Sequence, residues 1–185
     1  MDKQIINIFN NINFSNITKQ QKGKINYKDY TVYYEFINKG GQGYVYSVKF
    51  MYNNNSIGEF AVKILHKYNK TETDIFTLLS DKVKNKESYN FIQFYLYKKE
   101  NNKHIYLIEK ADGDINKWIS EKHTDKEWKS LIIQLLYGLH FLQTNKICHN
   151  DFLPRNILYK TLTKDRTLKY KNHTITVNTI FYISD

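Results

Sequence analysis

The stretch that most restricts what this chain can fold into runs from Thr124 to Thr144. Thr124-Asp-Lys-Glu127 is a capping box, in which the Thr hydroxyl and the Glu carboxylate satisfy the orphan N–H groups of a helix start. Trp128, Leu131, Ile132, Leu135, Leu136, Leu139 and Leu142 then follow at helical spacing. A helix with one such face must bury it, and most of the remaining chain does not read as helix. Tyr30–Ile37, Tyr44–Phe50 and Glu59–Leu65 are rich in β-branched and aromatic residues and are separated by turns at 38–43 and 53–56. The spacing of Ile75, Leu78, Leu79 and Val83 predicts a helix over Thr71–Val83. Phe91–Tyr97 and His104–Glu109 read as a strand pair, Asp114–Lys122 as a short helix, and two or three short strand-like runs follow Ile157. Strands and helices fall in largely separate stretches, as expected of an α+β chain. Residues 1–28, Asn-, Lys- and Gln-rich, read as a loosely packed arm or capping segment.

Composition removes several function classes. With 185 residues, 41% of them apolar, the chain can bury a real core without a staple. No run approaches the ~20 apolar residues of a membrane span, and the N-terminus has no signal-like apolar stretch. The lone Cys148 excludes a disulfide framework and a multi-Cys zinc site, so a reducing, cytoplasmic setting is expected. The net charge of +10 is almost all lysine: only Arg155 and Arg166 are arginine. Asn, Ile and Tyr are abundant beside Lys, a pattern of AT-rich codons, and the charges are spread along the chain rather than clustered. Neither a nucleic acid nor a membrane is therefore expected as partner.

Five features carry candidate chemistry. Asn38-Lys-Gly-Gly-Gln-Gly-Tyr-Val45 joins two strands, and its glycines allow backbone N–H groups to approach a phosphate; an ordinary hairpin turn is the plain alternative. Lys63 sits in the apolar run Phe60-Ala-Val-Lys-Ile-Leu65 and must either snorkel to water or meet an acid or phosphate. Glu72 and Asp74 on the next helix offer such an acid, although a solvated helix face explains both. His149-Asn-Asp-Phe-Leu-Pro-Arg-Asn156 follows the long helix; Asp151 and Asn156 on one loop can divide proton acceptance and metal binding between them. A turn-forming surface loop is the alternative there, opposed by the apolar flanks Ile147, Ile157 and Leu158. Asp185 ends the run Ile180-Phe-Tyr-Ile-Ser and suits a second metal ligand, or is simply a solvated terminal residue.

Taken in order, these features resemble the protein-kinase superfamily, of the eukaryotic Ser/Thr type. The resemblance implies a two-lobe fold: a five-stranded lobe with one helix over 29–109, and the hinge with part of a helical lobe over 110–185. It implies ATP and Mg²⁺ as ligands and a protein as substrate. Asn38, Gly40, Gly41 and Gly43 match the phosphate-covering loop, with Asn38 in place of the first glycine, where its tolerance of unusual backbone angles keeps the turn feasible, and Val45 matches the valine that packs on adenine. Ala61 and Lys63 match the strand whose lysine holds the α/β-phosphates. Asp74 is preferred over Glu72 as its acidic partner. Glu109 and Ala111 match the hinge, Ile108 the gate before it, and Asp114 the ribose contact. Asp151 matches the catalytic base, Arg155 a charge on the γ-phosphate, and Asn156 and Asp185 the Mg²⁺ ligands.

Departures are informative. Asn150 replaces the arginine that usually answers a phosphorylated activation segment, and Leu153 replaces a frequent lysine. The 29 residues from Asn156 to Asp185 leave room for an added hairpin around Tyr170–Val177. His-Asn-Asp also occurs in small-molecule kinases of the choline and aminoglycoside type, which stand as one alternative; a non-catalytic nucleotide-binding remnant is the other. The insert and composition are similar to kinases of large DNA viruses, which implies host cytoplasm or virion. The resemblance further implies that the domain is cut just after its metal-binding Asp185.

Overall fold

The computed structural model describes residues 2–19, 21–40 and 43–184 and divides into two compact units. The first contains residues 1–71 and 94–110, the second residues 72–93 and 111–185. The division is not the contiguous one expected at 109–110, because most of the first long helix groups with the second unit.

The first unit is built on a six-stranded antiparallel sheet. Its strands are β1 (Lys22–Tyr27), β2 (Tyr30–Lys39), β3 (Gly43–Tyr52), β4 (Asn55–Leu65), β5 (Phe94–Glu100) and β6 (Lys103–Ile108), in the order β1-β2-β3-β4-β6-β5. The five expected strands are present, and β1 adds a sixth from the segment read as an arm. Phe91 lies outside the sheet; the fifth strand begins at Phe94. Two hairpins close on Asn pairs with positive φ, Asn53-Asn54 and Asn101-Asn102, which is the backbone that tight two-residue hairpin turns demand.

The arm is not loosely packed. Helix α1 (Lys3–Asn11) is capped by Asp2 and followed by a 3₁₀ turn over Ser15–Lys19. Ile5, Ile8, Phe9, Ile12, Phe14 and Ile17 are buried against Val32, Val48, Phe50, Val62, Ile64, Ile105 and Leu107 of the sheet. A polar latch secures the segment. The Glu100 carboxylate accepts from the Ser15 N–H at 2.7 Å and the Phe14 N–H at 3.3 Å. Lys98 pairs with Glu100 at 2.7 Å, donates to the Ile12 carbonyl, and lies over the Phe9 and Phe14 rings. Lys103 donates to the Ser15 carbonyl at 2.7 Å. These partners lie about 85 residues away in sequence, which is why the segment's own composition does not reveal the packing.

The second unit packs helices α2 (Lys70–Lys84, whose first two residues belong to the first unit), α3 (Ile115–Ile119) and α4 (Asp125–Thr144) with a small sheet. That sheet has the order β7-β8-β9, formed by β7 (Gly113–Asp114), β8 (Ile157–Tyr170) and β9 (His173–Ile183). The short strand-like runs after Ile157 are thus one long hairpin turning at 171–172, with a register shift between Thr161 and Arg166. Leu79, Phe91, Leu142 and Ile183 form one cluster, with Ile75 and Val83 packed against it; Leu78, expected on the same stripe, is exposed. The capping box of α4 is complete, with Glu127 N–H to Thr124 Oγ1 and Thr124 N–H to Glu127 Oε2 both formed. Of the apolar stripe, Leu131 and Leu142 are buried, whereas Ile132 and Leu136 stay exposed. Gly138 lets α4 and β9 approach closely: a Cβ there would lie 2.8 Å from Ile183 Cδ1, so the end of that side chain would have to shift.

This packing makes Glu100 and the capping box at Thr124 and Glu127 matter to stability. Glu100→Ala leaves the Phe14 and Ser15 N–H groups without their acceptor and Lys98 without its ion-pair partner, and costs about 2 kcal/mol in chemical denaturation; faster hydrogen exchange should be confined to residues 3–19. Burial alone would raise the Glu100 carboxyl, but bonds from Lys98 and Ser15 bring it below its ordinary value, so its contribution is complete above the unfolded carboxyl's range and fades as pH falls through the lowered value. Bonds from Asn178 and Thr124 hold Glu127 at about 2, so its contribution is lost only as pH falls from the unfolded range toward 2. Thr124→Ala costs about 1 kcal/mol at pH 7 by thermal denaturation.

Candidate active site

Strand alternation sorts the first unit's sheet into two faces. Val62 and Ile64 point into the core, so Ala61, Lys63 and Leu65 take the other face. Cross-strand register then assembles a row across four strands: Asn38 opposite Val45, Val45 opposite Lys63, and Lys63 opposite Tyr106. The next row places Ser47 opposite Ala61 and Ala61 opposite Ile108. Four of the expected nucleotide residues therefore share one face. Tyr106 joins them, and its alternation with Ile105 and Leu107 was the signal for it. Glu109 follows directly at the end of β6, beside Tyr95, whose hydroxyl is pushed up to about 12 by burial and by the Glu109 charge.

The turn before this row behaves differently from the expectation. Asn38 has an ordinary strand backbone, with the chain irregularity taken up by a register shift between Phe36 and Asn38; no described glycine has positive φ. The Gly40 N–H bonds to the Gly43 carbonyl at 3.0 Å, and a Cβ on Gly40 would meet nothing within 4 Å. Gly43 is required by the sheet itself: a Cβ there would lie 2.0 Å from the Ile64 carbonyl oxygen. Gly41 lies outside the described residues.

In the second unit, the loop after α4 converges on Asp151. Asn156 is buried and donates through Nδ2 to the Asp151 carbonyl at 2.8 Å and to its Oδ2 at 2.9 Å. Arg155 Nη2 reaches both carboxylate oxygens, at 2.9 and 3.2 Å. Two donors thus orient an otherwise exposed carboxylate. The loop is tied to the end of β9: Ser184 N–H bonds to the Asn156 carbonyl at 2.9 Å, and His149 Nε2 bonds to the Ser184 carbonyl at 3.1 Å. A carbonyl only accepts, so Nε2 carries the proton, and Nδ1 is left buried with no partner among the described residues. Ile157 is buried and Ile147 half-buried, as the apolar flanks required. Asn150, in the arginine position, accepts from Cys148 Sγ at 3.1 Å.

The remaining expected residues are placed less tightly. Asp114 caps α3, accepting from the Lys117 N–H at 3.1 Å, and Ala111 lies half-buried before it. On α2, Glu72 is half-buried and Asp74 exposed. Asp185 lies outside the described residues. A divalent cation fits the donors that are described: both bonds of the Asn156 amide use Nδ2, which leaves Oδ1, a hard oxygen of the kind such ions take.

The sequence matches the protein kinase domain over residues 34–171. This chain belongs to the protein kinase family, which implies ATP and a divalent metal as ligands. Among curated proteins it is similar to the membrane-associated tyrosine- and threonine-specific cdc2-inhibitory kinase wee-1.3 of Caenorhabditis elegans, at 30% identity over 92 residues, 48% of this chain and 13% of that protein. It is also similar to the probable serine/threonine-protein kinase fhkB of Dictyostelium discoideum, at 24% identity over 135 residues, 72% of this chain and 12% of that one. The chain thus spans a small part of both relatives. Among the described residues, no helix is long and apolar enough to cross a membrane.

The glycines make a clean test of this site. Gly43→Ala forces β3 and β4 apart and costs at least about 2 kcal/mol, whereas Gly40→Ala stays within about 0.5 kcal/mol of the parent. Urea denaturation of the two variants separates them.

Proposed function

We propose that this chain is the part of a protein kinase that holds Mg-ATP and the catalytic loop, and that it serves transfer of the γ-phosphoryl group to serine and threonine hydroxyls. The observation that carries this reading is the doubly held Asp151: Asn156 and Arg155 set the plane of a carboxylate that stays open to a substrate. Both similar proteins are named for kinases whose named specificities include threonine.

Each residue has a part in that reaction. Asp151 orients the acceptor hydroxyl and takes its proton as the new P–O bond forms. Asn156 Oδ1, with Asp185, would hold Mg²⁺. When bound, the cation neutralises charge on the β- and γ-phosphates. Lys63 holds the α/β-phosphates from the polar face of the sheet, with Asp74 rather than Glu72 as its acid. Val45 and Ala61 pack on the adenine, the backbone at Glu109 and Ala111 bonds its edge, and Asp114 meets the ribose. Asn38, Gly40, Gly41 and Gly43 cover the phosphates. Arg155 uses Nη2 for Asp151 and keeps Nη1 and Nε for the γ-phosphate. The whole is catalysis by positioning and electrostatics.

The test is phosphate transfer from labelled ATP to a mixed protein substrate, with phosphoamino-acid analysis of the product. Phosphoserine and phosphothreonine should appear, and Asp151→Asn should lower the rate about 10²–10⁴-fold. Thermal stabilisation by Mg-ATP should persist in Asp151→Asn and drop in Lys63→Met. Phosphotyrosine alone would overturn the acceptor assignment, and an undiminished rate in Asp151→Asn would overturn the catalytic one.

A further inference from the structure

Strand β1 leaves an open edge whose chemistry no part of the phosphoryl transfer uses. It ends the sheet order, so one side of its backbone has no strand partner among the described residues. Phe36 N–H bonds to the Gln21 carbonyl at 2.6 Å, and antiparallel pairs alternate between bonded and non-bonded. Counting along the register, Gly23, Ile25 and Tyr27 face β2, and Lys22, Lys24 and Asn26 present their N–H and C=O groups outward. The side chains of Lys22 and Lys24 share one face and are exposed, and neither makes an ion pair among the described residues.

That face borders a trough of about 680 Å³. Its charged lining is Lys22, Lys24, Lys49 and Lys110 against Glu35 and Glu59. Glu59 is already neutralised by Lys49 at 3.4 Å and Lys110 at 3.3 Å, which hold its carboxyl below the usual range. Glu35 stands opposite Lys22 in register without an ion pair. The surface is therefore a cationic trough running beside unpaired strand backbone.

We infer that β1 is a docking edge for an extended acidic peptide, which adds as a further strand and sets carboxylates at alternate positions against Lys22 and Lys24. The backbone decides the class of partner. An open edge offers both donors and acceptors, and a peptide strand answers both, whereas a phosphodiester chain supplies acceptors only. Period-two alternation then carries the specificity, because every second side chain faces the trough at cross-strand distance from the lysines. Lysines on an edge strand can also serve only to repel other strands, and the test separates that role from docking.

The experiment is fluorescence anisotropy of the full chain, without nucleotide, titrated against a labelled eight-residue peptide alternating threonine and glutamate. Saturable binding that weakens with salt is expected. The Lys22→Glu, Lys24→Glu double variant should bind at least about tenfold more weakly, with an unchanged thermal midpoint. The same loss is expected, on the parent protein, for a peptide with glutamine in place of glutamate and for one N-methylated at alternate backbone nitrogens. Absence of saturation to millimolar concentration overturns the proposal and leaves the lysines as guards of the edge. Equal binding of the N-methylated or glutamine peptide overturns it too, as does displacement of the probe by oligothymidylate at lower concentration than by unlabelled peptide. Because no nucleotide or transfer step is involved, failure here leaves the kinase reading untouched.

Discussion

The second unit rests on one buried amide. Gln134 is fully enclosed in the middle of α4, and all of its hydrogen-bonding capacity is used. Its Nε2 donates to Ser130 Oγ and the Thr179 carbonyl, and its Oε1 accepts from the Phe181 N–H and from Asn90 Nδ2. Asn90, equally buried, reaches the Phe181 carbonyl and accepts from the Tyr170 hydroxyl, which burial pushes well above its ordinary range. A network this complete specifies one arrangement of helix and hairpin, because any slip leaves buried polar groups unpaired. The register of β9 against α4 in turn puts Ser184 where it bonds Asn156 and His149, so the order of the loop around Asp151 depends on a residue in neither the loop nor the strand.

In the first unit the governing constraint is the two-residue period of strands. One face of the sheet is sealed by α1, the 3₁₀ turn and their latch on Lys98 and Glu100, which leaves the opposite face for polar work. Lys63 sits between Val62 and Ile64 in sequence, yet its ammonium faces away from the core that those two fill. The same alternation brings Asn38, Val45, Lys63 and Tyr106 into one row although they span nearly 70 positions of chain.

Local signals were legible where local physics decides. The capping box at Thr124 and Glu127, a turn beginning at Asn53 and the strand bearing Lys63 were legible, since each depends on neighbours within a few residues. The N-terminal helix did not, because its apolar residues lie in an Asn-rich background and its polar partners come from β5 and β6. Gln134 was passed over as one polar position in a leucine-rich helix; a polar side chain at a buried helix position was the available clue. Gly43 was attributed to phosphate approach, whereas the Ile64 carbonyl is the atom that excludes a side chain there.

By itself, then, the sequence determined most of the element types, the α+β class and the family resemblance, because periodicity, caps and motif spacing are properties of short stretches. The tertiary structure alone decided that residues 3–19 and 22–27 belong to the first unit's core and sheet, that the run after Ile157 is a single long hairpin clamped to α4, and that Asp151 is held by two side chains at once. Those outcomes depend on contacts between distant parts of the chain, whose strength comes from burial and fully paired polar groups rather than from any local preference.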